Sequence, residues 1–124
     1  MPKHIIVVDD DKEVREIITF ALTRTGFDVR AASNDRQLEG LLAVEIPDLI
    51  ILDVMMPGID GYSLFGRLHS RPETRHIPVI IMTAHAEDIY QRISVDLGVA
   101  EHITKPFHPI ELVEKVKKLL QVSS

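Results

Sequence analysis

Three uninterrupted apolar runs stand out along the chain: "HIIVV" (4–8), "DLIIL" (48–52) and "PVIIM" (78–82). Each is short and rich in β-branched residues, the pattern of a strand covered on both faces. "FDVRAA" (27–32) alternates instead, as an edge or half-covered strand does, and "EHIT" (101–104) is long enough for one more short strand. Between these runs the apolar residues change to helical spacing. After Asp11, a suitable N-cap, come Val14, Ile17, Ile18, Ala21 and Leu22, and Gly26 closes the segment. Ser33 or Asn34 can cap a second helix carrying Leu38, Leu41 and Leu42, which Pro47 ends. Gly61, Leu64, Phe65 and Leu68 mark a short third helix, and Ile89, Ile93 and Leu97 a weaker fourth over 86–97. The fifth, over 109–121, has Pro109 in its first turn and Ile110, Leu112, Val113, Val116, Leu119 and Leu120 on its apolar side.

Five such β–α units predict an α/β fold, a doubly wound parallel sheet with helices on both faces. In open sheets of this kind, sites form at the carboxyl ends of the strands. The 124 residues suit one domain, 1–124, able to bury roughly two thirds of the surface its unfolded chain exposes. The formal charge of −5, with no long run of either sign, argues against direct nucleic-acid binding. There is no cysteine, hence neither a disulfide nor thiol chemistry. The amino terminus, "MPKHIIVVDDD", is too short in its apolar part for a signal peptide or a membrane span, which reads as a cytoplasmic protein. The six histidines include no i, i+4 pair of the kind that binds zinc.

The strand ends carry the chemistry. The first runs into Asp9, Asp10 and Asp11; the third meets Asp53, the fourth Thr83 and the fifth Lys105; the second ends in Ala31 and Ala32. Clustered carboxylates at the rim of a dry sheet repel one another, and a hard divalent cation with oxygen ligands relieves that repulsion. Lys105 is a compact positive charge suited to phosphate, and Thr83 can donate to a phosphate oxygen. Asp53, on the central strand, is placed to attack phosphorus and form an acyl phosphate. Metal and lysine would then offset the charge of the transferring group. Taken singly, each residue has a plainer role: Asp11 as a helix cap, Asp9 or Asp10 as loop acids, Thr83 as an ordinary strand end.

Together, "VVDDD" (7–11), "DLIILDVMMPGIDGY" (48–62), "PVIIMTA" (78–84) and "ITKPF" (103–107) make the chain resemble a receiver domain of the bacterial two-component response regulators. The likeness covers essentially the whole sequence. It implies a flavodoxin-like sheet of order 2-1-3-4-5 and Asp53 as phosphoacceptor. It implies Mg²⁺ or Mn²⁺ bound by Asp10, Asp53 and the Met55 carbonyl, with Asp9 acting through water. Thr83 would be the switch hydroxyl, Lys105 the phosphate partner and Ala84 the small residue beside the phosphate, with a cis Lys105–Pro106 bond. A histidine kinase or phosphotransfer protein would supply the phosphoryl group. The output would be a downstream protein or a homodimer engaged through residues 86–121. The chain departs from the family pattern at His102, where an aromatic switch residue is usual, and at Met55 and His85, positions that tune dephosphorylation.

Other readings of the same residues remain open at this level. An aspartate-nucleophile phosphohydrolase would use Asp9-x-Asp11 on the first strand. A cofactor-binding flavodoxin-like domain needs a phosphate-cradling loop after that strand, and "DDDKEV" has no glycine and is anionic. A phosphorylation-independent interaction module on the same fold would not need the full acid set, Thr83 and Lys105. The sequence is compatible both with a stand-alone receiver and with one cut from a longer regulator.

Overall fold

A computed structural model describes residues 2–54, 61–84 and 98–121. Five strands, β1 (His4–Val8), β2 (Asp28–Ala32), β3 (Leu49–Asp53), β4 (Val79–Thr83) and β5 (Glu101–Thr104), form one parallel sheet of order β2-β1-β3-β4-β5. Four helices are described: α1 (Lys12–Arg24), α2 (Asp35–Val44), α3 (Gly61–Ser70) and α4 (Pro109–Leu120). The helix expected over 86–97 lies outside the described residues.

The continuous apolar runs are explained by what covers each side. Ile6, Val8, Ile50, Leu52 and Ile81 point to one face, where they pack with Leu38 and Leu42 of α2 and Leu64, Phe65 and Leu68 of α3. Ile5, Val7, Leu49, Ile51, Ile80 and Met82 point to the other, against Ile18 and Leu22 of α1 and Leu112 and Val116 of α4. Successive strand residues alternate between faces, so a strand roofed twice has no solvent side and no polar position. β2, at the edge, leaves Arg30 and Ala31 exposed, as its mixed pattern predicts.

Local chemistry sets the helix ends. The Asp11 carboxylate accepts from the Glu13 and Val14 backbone amides at 2.9 and 3.5 Å, and the chain leaves α1 through Gly26 at φ +105°, where a side chain would be strained. Of the two candidate caps for α2, Asn34 is the one used: its side chain accepts from Gln37 N–H at 2.8 Å, and the Gln37 side chain accepts in return from Ser33 N–H at 2.7 Å. α4 starts with Pro109 at its first turn and His108 as cap.

β3 and β4 each run one residue further than their apolar stretches, so Asp53 and Thr83 are the last residues of strands. Asp48 and Pro78 stay outside at the other end. The Asp48 carboxylate instead accepts from His4 N–H at 2.8 Å, and Val54 N–H continues the ladder to the Met82 carbonyl at 3.2 Å.

Candidate functional site

The carboxyl edge of the sheet is assembled from four strand ends. Asp9 follows β1, and its N–H donates to the Ala32 carbonyl at 3.1 Å, extending the ladder by one residue. Its own carbonyl accepts from the Arg15 guanidinium at 2.7 Å. The Asp9 side chain is fully buried, and both its oxygens are engaged: Oδ1 accepts from Asp11 N–H at 2.9 Å and Oδ2 from Lys105 Nζ at 2.8 Å. Asp53, 2% exposed, accepts from the same ammonium at 3.2 Å through Oδ2. Lys105 reaches both acids from beyond β5. Its N–H donates to the Thr83 carbonyl at 2.8 Å, and its bond to Pro106 is cis, as the resemblance implied.

One ammonium therefore lies between two buried carboxylates, while Asp10 points to solvent beside them. Burial by itself would lower the lysine's pKa. The hydrogen bond that Lys105 donates to Asp9 and the charges of Asp53 and Asp9 outweigh it, and the net shift is upward, so Lys105 is held firmly as a cation. The balance of charge still favours the acids. Asp9, Asp10 and Asp53 each bring a carboxylate oxygen to within 4.8 Å of the others. Three hard oxygen donors with one positive neighbour suit Mg²⁺ better than a soft or nitrogen-loving ion.

Thr83 is buried at the end of β4, and Ala84, exposed, comes next. Asp9, Asp10, Asp53, Thr83 and Lys105 thus share one edge, as their strand-end positions predicted. Met55 and His85 lie outside the described residues. His102 is not at this edge. It sits in the middle of β5, paired with Ile81, and its backbone N–H donates to Glu101 Oε1 at 3.1 Å. Its Nε2 is buried and has no hydrogen-bond partner among the described residues. Burial, first, lowers the His102 pKa; Glu101 opposes this and Lys115 adds to it. Sequence reasoning had no role for Arg15. The only signal was its place four residues after Asp11, one turn into α1 and over the strand end.

Two alternative chemistries lose support from this geometry. The phosphohydrolase reading needs Asp9 as nucleophile, and Asp9 is fully buried with both oxygens accepting hydrogen bonds that tie it to Asp11 and Lys105. A phosphate cradle after β1 would have to sit where the acids are.

Comparison with known proteins places the sequence and the fold in one family. The response regulator receiver domain profile matches residues 5–117. The transcriptional regulatory protein GltR of Pseudomonas aeruginosa is 38% identical over 119 residues, 96% of this chain and 49% of that protein. The phosphate regulon transcriptional regulatory protein PhoB of the same organism is 39% identical over 96% of this chain and 52% of its own length. The chain spans about half the length of these curated relatives. A response regulator from Thermotoga maritima superposes with a TM-score of 0.88 at 28% identity, covering 98% of this chain and 99% of that one.

Proposed function

The chain belongs to the response regulator receiver domain family, a family of regulatory phosphoacceptor domains, and on that premise we propose that Asp53 accepts the phosphoryl group. The observation that carries this is a buried carboxylate at the tip of the central strand, 3.2 Å from Lys105 Nζ. An Asp53 oxygen attacks the phosphorus of a phosphohistidine or small acyl phosphate; the new P–O bond forms as the donor's bond to phosphorus breaks, and the donor leaves with the electron pair. Lys105 counters the charge on the transferred group. Thr83 donates its hydroxyl to a phosphate oxygen, and the small side chain of Ala84 leaves room for it.

Asp10, Asp53 and the Met55 carbonyl would hold Mg²⁺ or Mn²⁺, with Asp9 contributing through water. When bound, the ion supplies positive charge at the phosphoryl oxygens. Met55 slows loss of the phosphoryl group by offering no hydrogen bond to an attacking water, and His85 acts in the opposite sense. The donor is a histidine kinase or phosphotransfer protein. The readout is a protein contact or homodimer through 86–121, with His102 turning inward as Thr83 moves toward the phosphate. The setting is cytoplasmic, in one domain that does not itself touch nucleic acid; among the described residues no helix is long and apolar enough to cross a membrane.

Incubation with acetyl phosphate and Mg²⁺, followed by mass spectrometry, should add one phosphoryl group at Asp53. An Asp53→Asn variant should take up none, and full labelling of that variant would refute the assignment.

A further inference from the structure

At the opposite, amino-terminal edge of the sheet lies a second group of metal-ligating side chains, drawn from three separate elements. His4 opens β1, Asp28 opens β2 beside it in register, and Glu45 caps the end of α2. One ligand atom from each lies within 4.8 Å of the other two. The His4 side chain is 9% exposed, whereas the carboxylates of Asp28 and Glu45 are partly open to solvent, at 43% and 58%.

The ring's surroundings give it an unusual demand. Nδ1 lies 3.3 Å from the Asp28 backbone carbonyl, with the Asp28 carboxylate at 3.6 Å. A carbonyl oxygen only accepts, so the ring's own proton belongs on Nδ1. Nε2 then presents a lone pair toward Glu45 Oε1, 3.3 Å away. A proton on Nε2, or a cation between the two atoms, would make that contact attractive. The Asp48 carboxylate, bound to His4 N–H at 2.8 Å, adds negative charge, and Arg30 stands 3.9 Å from the far oxygen of Asp28.

We infer that His4 Nε2 and Glu45 form a cation site for a borderline metal ion such as Zn²⁺, toward which the Asp28 carboxylate, now 3.6 Å from Nδ1, would turn as a third donor. A tetrahedral zinc ion with bonds of about 2.0–2.1 Å separates its ligands by about 3.3 Å, the distance between His4 Nε2 and Glu45 Oε1. The Nδ1 contact to a backbone carbonyl is the usual outer partner of a metal-bound histidine, fixing the tautomer and turning Nε2 to the ion. A mixed nitrogen and oxygen set selects zinc, cobalt or nickel over magnesium, the reverse of the all-oxygen edge at Asp9, Asp10 and Asp53. Water completes the coordination. Bound there, the ion joins the starts of β1 and β2 to the end of α2. The site has no short-range motif, because its ligands are 24 and 17 residues apart.

The test is a Zn²⁺ titration of the whole chain in saturating Mg²⁺, which keeps the acidic edge occupied. It is followed by NMR of the histidine rings and by thermal unfolding, with Co²⁺ as a paramagnetic substitute. Zn²⁺ should shift the His4 ring signals with one-to-one stoichiometry and raise the unfolding midpoint. Co²⁺ should perturb signals around residues 4, 28 and 45. Glu45→Gln, at an exposed position that tolerates the change, should raise the zinc dissociation constant about ten-fold or more. The inference is overturned if the His4 signals respond to pH but not to zinc, which would mean a bridging proton only. It is equally overturned if the Co²⁺ effects centre on Asp9, Asp10 and Asp53, or if Glu45→Gln binds zinc as tightly as the native chain.

Discussion

Asp9, Asp10 and Asp11 are consecutive, chemically identical and put to three different uses. Asp9 is buried and bonded to Lys105, Asp10 faces solvent beside the cluster, and Asp11 caps α1. Alanine at the last two should separate their roles. Asp10→Ala should weaken Mg²⁺ binding by more than about ten-fold, the cost of losing even an outer partner of a metal. Asp11→Ala should leave Mg²⁺ affinity near native and lower stability by about 1 kcal/mol. Calorimetric titration and chemical denaturation read the two quantities, and equal loss of affinity in both variants would contradict the division. Lys105 makes a sharper case, because it offsets two buried charges at once. Removing one partner of a buried ion pair leaves the other uncompensated, at about 3 kcal/mol or more. Lys105→Met should therefore unfold at markedly lower urea concentration without Mg²⁺ and regain part of the loss when Mg²⁺ is added. A loss unchanged by Mg²⁺ would mean that the acids do not share a cation.

At the scale of elements, the candidate site residues end or follow strands whose backbone hydrogen bonds continue past the apolar runs. Asp9 N–H still pairs with Ala32, Val54 N–H with Met82, and Lys105 N–H with Thr83. The same edge needs one close approach. A Cβ on Gly61, the first residue of α3, would overlap the backbone and side chain of Val54, the residue after Asp53. Backbone cannot move aside as a flexible side chain can, so Gly61→Ala should cost about 1–3 kcal/mol, as overpacking does. It should also displace Asp53, the proposed phosphoacceptor. Denaturation midpoint and phosphorylation rate should fall together; a native rate in a destabilised variant would show that Asp53 is positioned independently of α3. "DGY" in the sequence reads as an ordinary turn before a helix, and nothing in it shows that Val54 is the neighbour that forbids a side chain.

For the molecule as a whole, pH links His102, on β5, to stability. His102 gives up its proton more easily folded than unfolded, chiefly because it is buried. As pH falls below the ordinary value of 6.5, the unfolded chain binds a proton at this position before the folded one does, and stability declines until the folded value is passed. The loss belongs to mild acid and is absent above neutrality. His102→Phe should flatten the stability profile between neutral pH and mild acid, measured by denaturation at a series of pH values. A profile as steep as the native one would assign the slope elsewhere.

The amino-acid sequence alone determined the architecture, since a strand roofed on both sides has to be apolar at every position and an amphipathic helix has to be apolar at every third or fourth. That rhythm gives β–α alternation, hence parallel strands, hence a reactive carboxyl edge, and Asp9, Asp10, Asp53, Thr83 and Lys105 are legible there because each directly follows or ends a run. Tertiary structure decided the rest. Which of two buried acids Lys105 approaches more closely, that Arg15 holds the Asp9 carbonyl, that Gly61 meets Val54, and that His4, Asp28 and Glu45 converge are all contacts between residues whose separation in sequence has no period. Periodicity reports the side on which a residue is buried. Only the packing of one element against another sets its neighbours, and for a charged or metal-ligating side chain the neighbours set the chemistry.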